Sequence, residues 1–308
     1  MNILPFLIPL PAKTNFKPQI IQGNSFLKEK KLQKAWNSYQ NAFQSLWDNW
    51  EKFNNDYYWP ENTFIPNQEY KFIYCGIHKV ASSTFRNYIL KLNDLEDKID
   101  THFELWHYCH YHLSFYSFNY GNALKILNDK NYFKFTFVRN PWARLLSGYL
   151  NKFVTKNKLE HFAYDVITDI YNYKNEKLDL DKSITFEEFL RYLSRKKNNS
   201  LDYHWKPQYL FLGRTKFDFI GKIENLKEDF EYLKNKLNLP YGLPQRNTNK
   251  YTETPTNPFN THWSKLTPNQ LKNINQYPRY KEFYNEELIE LVRNRYQKDL
   301  KMFDYQFT

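Results

Sequence analysis

Lys79 lies in a short run, GIHKVASST (76–84), whose other polar members are His78, Ser82, Ser83 and Thr84. A cation beside small hydroxyl residues can hold a phosphate: the ammonium supplies charge, and hydroxyls and backbone N–H groups donate to the oxygens. Further along, Arg139 opens and Ser147 closes RNPWARLLS. A guanidinium fork there could bond two oxygens of a second, terminal phosphate. Histidines are the groups suited to take a proton at neutral pH. His110 and His112 in HYCHYHLSFYSF (107–118), and His204 in HWKPQY (204–209), are the candidates. Lys206 is a further contact for an anion or for the group that loses the proton.

These residues need elements to place them. YKFIYC (70–75) is β-branched and aromatic, as a buried strand should be, and from Ser83 the pattern turns helical with Phe85, Tyr88, Ile89 and Leu92. The loop between would meet a helix N-terminus, where first-turn N–H groups point outward, and Ser82, Ser83 or Thr84 could cap it. It is not a Walker A loop, because His78 precedes Lys79 and Val80 follows it. Read alone, it could equally be an ordinary capped helix after a strand. The second unit repeats the plan: a strand over 132–138, a turn at Arg139-Asn140-Pro141, and a helix from Trp142. Open α/β sheets bind ligands at the carboxyl ends of their strands, so the two units could grip two separate phosphates.

GIHKVASSTFRNYIL followed by FTFVRNPWARLLSGYLNKF resembles the paired cofactor motifs of the Golgi-type carbohydrate sulfotransferases (sulfotransferase family 2), which include the chondroitin, dermatan and HNK-1 enzymes. Residues 204–233 and 280–305 agree in the family's order, so the resemblance spans roughly 70–305. It implies a P-loop-NTPase-like α/β fold: a central, mostly parallel sheet flanked by helices. It also implies 3′-phosphoadenosine 5′-phosphosulfate (PAPS) as sulfuryl donor, adenosine 3′,5′-bisphosphate as product, and a hydroxyl-bearing, glycan-like acceptor. Lys79, Val80, Ala81, Ser82, Ser83 and Thr84 would hold the 5′-phosphosulfate, and Arg139 and Ser147 the 3′-phosphate. In the family a later loop closes over the adenosine phosphates, and Arg246, Asn247, Thr248 and Lys250 stand where it would. Two departures are Asn140, where the family often has Asp, and the absence of cysteines after HWKPQY. HYCHYHLSFYSF is similar to the segment of uronyl 2-O-sulfotransferases carrying their base on the second histidine of H-x-H, which puts that role on His112 with His110 beside it. His204 is the competitor, Glu104 an alternative, and a hydrogen-bonded core histidine the structural explanation.

Forty-four Lys and Arg against 33 Asp and Glu give a net charge of +11, which fits an anionic donor and an acidic acceptor but also nucleic acid. A nucleic-acid module would leave two phosphate cradles at strand ends unexplained, and a kinase would need the Walker A glycine and a magnesium-binding hydroxyl after Lys79. A sulfotransferase for a non-carbohydrate hydroxyl stays open. The only cysteines are Cys75 and Cys109, which offers no disulfide framework and no zinc spacing and favours a reducing compartment. With no carboxylate completing a ligand set around the histidines, and Cys109 expected on the opposite face, no metal is expected.

Residues 1–13 form an apolar run broken by three prolines, too short to span a bilayer, and read as an arm packed on the domain. Those features point to a soluble, cytoplasmic, bacterial protein without a membrane span. Residues 25–53 read as a long aromatic-striped helix and 54–68 as a loop, so 1–69 is an N-terminal arm and helix and 70–308 the catalytic domain. His110 and His112 alternate as on one face of a strand. Thr185 and Glu188 make a capping box for a helix over 184–197, whose Arg191, Arg195, Lys196 and Lys197 either meet an acidic glycan or form a solvated face. FDFIGKIENL (217–226) reads as strand then turn, 239–268 as an irregular loop, and one last helix starts at the Asn285 cap.

Overall fold

Four runs of apolar residues pair into one sheet in the order β1-β2-β3-β4: β1 (Phe64–Asn67), β2 (Phe72–Cys75), β3 (Phe133–Val138) and β4 (Phe219–Lys222). β1 is antiparallel to β2, while β2, β3 and β4 run parallel. The computed structural model of the chain describes residues 63–95, 105–106, 108–118, 120–155, 161–213, 215–244, 251–252, 257–274 and 276–307, with positions 22, 25 and 34 ahead of them. The N-terminal arm and all but two positions of the helix expected over 25–53 lie outside the described residues.

β2 is buried along its whole length, as its unbroken apolar run requires of a strand covered on both faces. β1 replaces the described end of the loop expected over 54–68. Pro66 and Asn67 read as turn residues in the sequence, but an edge strand tolerates a proline because its N–H faces no partner. Helix α1 (Ser82–Leu92) lays Phe85, Tyr88 and Ile89 on the sheet, where the Phe85 ring stacks on Tyr74 at 5.0 Å between centroids. A second core is helical. It gathers α3 (Pro141–Tyr149), α4 (His161–Lys174), α5 (Phe186–Arg195) and α7 (Glu286–Arg295) around Trp142, Tyr149, Phe189 and Trp205. Further helices are α2 (Tyr120–Asn128) after the histidine-rich segment, α6 (Leu226–Leu237) after β4, and α8 (Gln297–Phe303) near the C-terminus, with short helical turns at Tyr209–Leu212 and Pro268–Lys272. Short irregular turns fill most of the described part of 239–268, as expected.

Caps read from the sequence hold. Glu188 N–H donates to Thr185 Oγ1 at 3.2 Å while Thr185 N–H donates to Glu188 Oε2 at 2.8 Å, a reciprocal box opening α5. Asn285 Oδ1 accepts from Leu288 N–H at 2.9 Å at the start of α7. The single last helix does not: it breaks at Tyr296 into α7 and α8. The break lets Tyr296 donate its hydroxyl to the Trp205 carbonyl at 2.5 Å and aims buried Asp299 at the chain before β4. The basic stretch after Thr185 is internally paired, since Arg191 bonds Glu187 and Glu287 and Lys196 bonds Asp169 at 2.6 Å. Arg195 covers the Tyr173 ring at 3.5 Å. A solvated, self-neutralised face is therefore the explanation for Arg191, Arg195 and Lys196.

Candidate active site

The parallel pairing of β2, β3 and β4 brings the loop after Cys75 and the turn after Val138 out at the same carboxyl edge. The first loop is shaped by two non-glycine residues in left-handed conformation, Lys79 (φ 64°) and Ala81 (φ 48°). Such backbone strain, at about 1–3 kcal/mol each, persists only where the surroundings enforce it. Left-handed residues in such a loop are the backbone type from which anion-binding concavities of N–H groups are built. Val80 enforces the strain by burying its side chain, so what Val80 offers a ligand is backbone. The hydroxyl cap expected for α1 is not used: Ala81 is the N-cap and makes no side-chain bond. Ser83 and Thr84 are half-buried, and Ser82 is buried.

Lys79 Nζ donates to Asn151 Oδ1, in the π-helical turn Leu150–Val154 that prolongs α3. Ser147 precedes Asn151 by four residues in the same helical run. Arg139 Nη1 donates to the Lys79 carbonyl at 3.4 Å, which links the two units directly. The Arg139 backbone is fixed by Gln208, whose Oε1 accepts its N–H at 2.9 Å and whose Nε2 donates to its carbonyl at 2.8 Å. Asp299 then accepts the N–H groups of Gln208 and Tyr209 at 2.7 and 2.8 Å. Burial pushes the Asp299 carboxyl up, against the pull of those two N–H groups and of Arg144.

Arg144 is the keystone that sequence reasoning missed. Fully buried on α3, it donates to the carbonyls of His78 (2.9 Å), Lys206 (2.8 Å) and Tyr203 (3.1 Å). The guanidinium thus ties the Lys79 loop to the HWKPQY segment, and desolvation pulls its pKa down to about 10. Its signal was an arginine on the apolar face of a helix, between Trp142 and Leu145. Asn140 caps α3 through Oδ1, accepting from Trp142 N–H at 3.0 Å, while its amide nitrogen donates to the Gln306 carbonyl at 3.1 Å. An aspartate could not make that second bond, which gives a physical reason for the departure at this position.

The histidines part company. His110 and His112 were expected on one face of a strand, but Cys109–Leu113 is a π-helical turn closed by Ser114 N–H donating to the Cys109 carbonyl at 2.9 Å. Alternation therefore has no meaning here. His110 is buried against Trp106 (4.4 Å) and Tyr111, while His112 stacks on Tyr108 at 4.9 Å. His204, by contrast, packs edge-on against His78 of the Lys79 loop at 4.7 Å. Its Nδ1 lies 2.5 Å from Asp202 Oδ1, which also accepts the His204 backbone N–H at 2.9 Å. Burial holds His78 well below its ordinary pKa, helped by His204 and Arg86. Lys206 is buried with its ammonium over the Tyr203 ring, and Lys152 is buried with its own over Phe162. Arg246, Asn247, Thr248 and Lys250, with His102, Glu104 and His107, lie outside the described residues. Among the described residues, no three His, Cys, Asp or Glu side chains gather as metal ligands do, and no helix is long and apolar enough to cross a membrane.

Comparison with known proteins bears on this geometry. Carbohydrate sulfotransferase 14 of Danio rerio is 31% identical over 203 residues, covering 60% of this chain and 51% of that protein. Its human counterpart is 30% identical over 177 residues (54% and 44%), and human carbohydrate sulfotransferase 9 is 24% identical over 240 residues (73% and 52%). The chain spans about half the length of these curated relatives. No solved structure matches it. These animal proteins overturn the expectation of a bacterial, cytoplasmic protein, since they are of the Golgi-type group. The cysteine argument failed for a physical reason: Cys75 and Cys109 are both buried, each thiol pushed up to about 12, so neither reports the redox state outside. The sulfotransferase family model matches residues 62–306, from just ahead of β1 to beyond α8 and so across both cradles; the chain belongs to the sulfotransferase family.

Proposed function

We propose that the chain moves a sulfuryl group from PAPS to a hydroxyl of a carbohydrate acceptor by in-line transfer. One observation carries the reading: two strand–turn–helix units emerge side by side at the carboxyl edge of the parallel sheet, one offering Lys79 on a strained loop and the other Arg139, linked through the Lys79 carbonyl. The residues fit a bisphosphate donor, with a left-handed backbone turn over 79–81, hydroxyls at Ser82, Ser83 and Thr84, and a second cation and hydroxyl at Arg139 and Ser147. Bound there, the donor supplies the sulfuryl group. Lys79 would leave Asn151 to neutralise charge on the bridging oxygen, and such preorganised cationic stabilisation is usually the largest catalytic term. Arg139 and Ser147 hold the 3′-phosphate, and Lys206, tied to the Lys79 loop through Arg144, is a further cation for donor or acceptor. Arg246 and Lys250 extend the same reading to the adenosine side.

Calorimetry with adenosine 3′,5′-bisphosphate, AMP and ATP–Mg²⁺ tests it. The bisphosphate should bind without metal and more tightly than AMP by about 1.5–3 kcal/mol per charge-assisted bond lost. Equal affinity for AMP and the bisphosphate would remove Arg139 from its role, and preference for ATP–Mg²⁺ would replace the reaction class.

A further inference from the structure

Sulfuryl transfer to a hydroxyl needs a base, and the structure offers one unit built like a catalytic pair. We propose that His204 is that base and that Asp202 positions it; the proposal rests on the sulfotransferase reading above. Asp202 Oδ1 grips His204 twice, at Nδ1 (2.5 Å) and at the backbone N–H (2.9 Å), which fixes the ring, and an ionised Asp202 would hold the ring proton on Nδ1. With the proton held on Nδ1 toward the carboxylate, Nε2 is left as the basic nitrogen. The ring also packs on Phe162 at 5.1 Å and edge-on to His78 at 4.7 Å, and His78 is the residue before Lys79. Arg144 secures that neighbourhood by bonding the carbonyls of His78, Tyr203 and Lys206, so base and leaving-group cation share one scaffold.

In the step, the acceptor hydroxyl passes its proton to His204 Nε2 as its oxygen bonds to sulfur. The bond from sulfur to the phosphate oxygen breaks, and its electron pair departs on the bisphosphate beside Lys79. Charge around the imidazole is set from every side. The carboxylate of Asp202 faces it at Nδ1, the ammonium groups of Lys152 after α3 and Lys206 in the same segment act on that carboxylate, and the His78 ring of the loop packs edge-on. His78 stays neutral because burial holds it low, so it adds no repelling charge near neutral pH. Asp202 is itself pushed up by burial, and the His204 N–H, His78, Lys152 and Lys206 pull it back toward the carboxylate.

The test compares wild type, His204→Gln, Asp202→Asn, Asp202→Glu and His112→Gln. Bisphosphate Kd is measured by calorimetry, sulfuryl transfer with labelled PAPS and desulfated dermatan, and ring tautomers by nitrogen-15 NMR of histidine-labelled protein. Bisphosphate binding by the wild type is read first, and its failure sinks the sulfotransferase reading rather than the pair. Given binding, His204→Gln should lower kcat by roughly 10²–10⁴-fold with Kd within about threefold, and free imidazole should restore part of it. Asp202→Asn should lower kcat, move the acid limb of its pH profile downward and scramble the His204 tautomer, with Asp202→Glu recovering part of each. The NMR readout needs no acceptor: a wild-type His204 carrying its proton on Nε2 overturns the proposal. So does His204→Gln retaining its rate while His112→Gln loses it.

Discussion

Replacing Arg144 by Met should be the most damaging single change away from the reacting groups. The guanidinium satisfies three buried carbonyls at 2.8–3.1 Å on two separate segments, and methionine fills much of the volume while donating to none. Each buried acceptor left without a donor costs about 1–3 kcal/mol, so the gross loss is several kcal/mol. Part returns, because the desolvation that drags the Arg144 pKa down to about 10 disappears with the charge. Breaking a buried charged group from its partners typically nets about 3–5 kcal/mol, a large share of the ~5–15 kcal/mol that holds a domain together. Urea unfolding should therefore show a much lower midpoint at unchanged slope. Arg144→Lys, which keeps the charge but loses the planar fork, should fall between. Bisphosphate affinity should drop in both variants, since the His78 carbonyl and the 203–206 carbonyls lose their common clamp. An Arg144→Met protein within about 0.5 kcal/mol of wild type would refute the claim that this side chain joins the two segments.

Asn140→Asp should destabilise despite improving the charge at the α3 N-terminus: the dipole returns about 0.3–1 kcal/mol, whereas losing the bond to the Gln306 carbonyl costs about 0.5–1.5 kcal/mol and the new carboxylate meets Glu224, whose Oε1 accepts the residue-140 N–H at 2.8 Å, as thermal unfolding at neutral pH would show. His78, with its folded pKa below the unfolded ~6.5, binds fewer protons folded than unfolded, so its contribution is present above that pH and lost as pH falls below it. The stability of His78→Gln should consequently fall less steeply than wild type on acidification. Lys79→Ala should lower kcat far more than bisphosphate affinity, and a kcat within about twofold of wild type would deny its place at the leaving oxygen. Gly221→Ala should cost about 1–3 kcal/mol, because a Cβ there would sit 2.4 Å from the buried Phe137 ring.

The sequence by itself determined what local chemistry dictates. β-branched runs gave β2 and β3, hydroxyl and carboxylate spacing gave the Thr185–Glu188 box, and Asn285 marked the start of α7. That Lys79 and Arg139 each follow a strand and precede a helix was legible as well, from the same runs. What it could not reveal is whatever depends on partners far along the chain. Gln208 holds Arg139 across 69 residues, and Asp299 holds Gln208 across 91. Hydrogen bonds of that reach leave no periodicity to detect, since only the folded path brings donor and acceptor together. The histidines make the same point in reverse. H-x-H looked like one face of a strand, but one i→i+5 bond from Ser114 to Cys109 makes a π turn and voids the alternation. The tertiary structure instead set His204 beside the Lys79 loop, because Arg144, an arginine hidden in an apolar stripe, needed carbonyls from both.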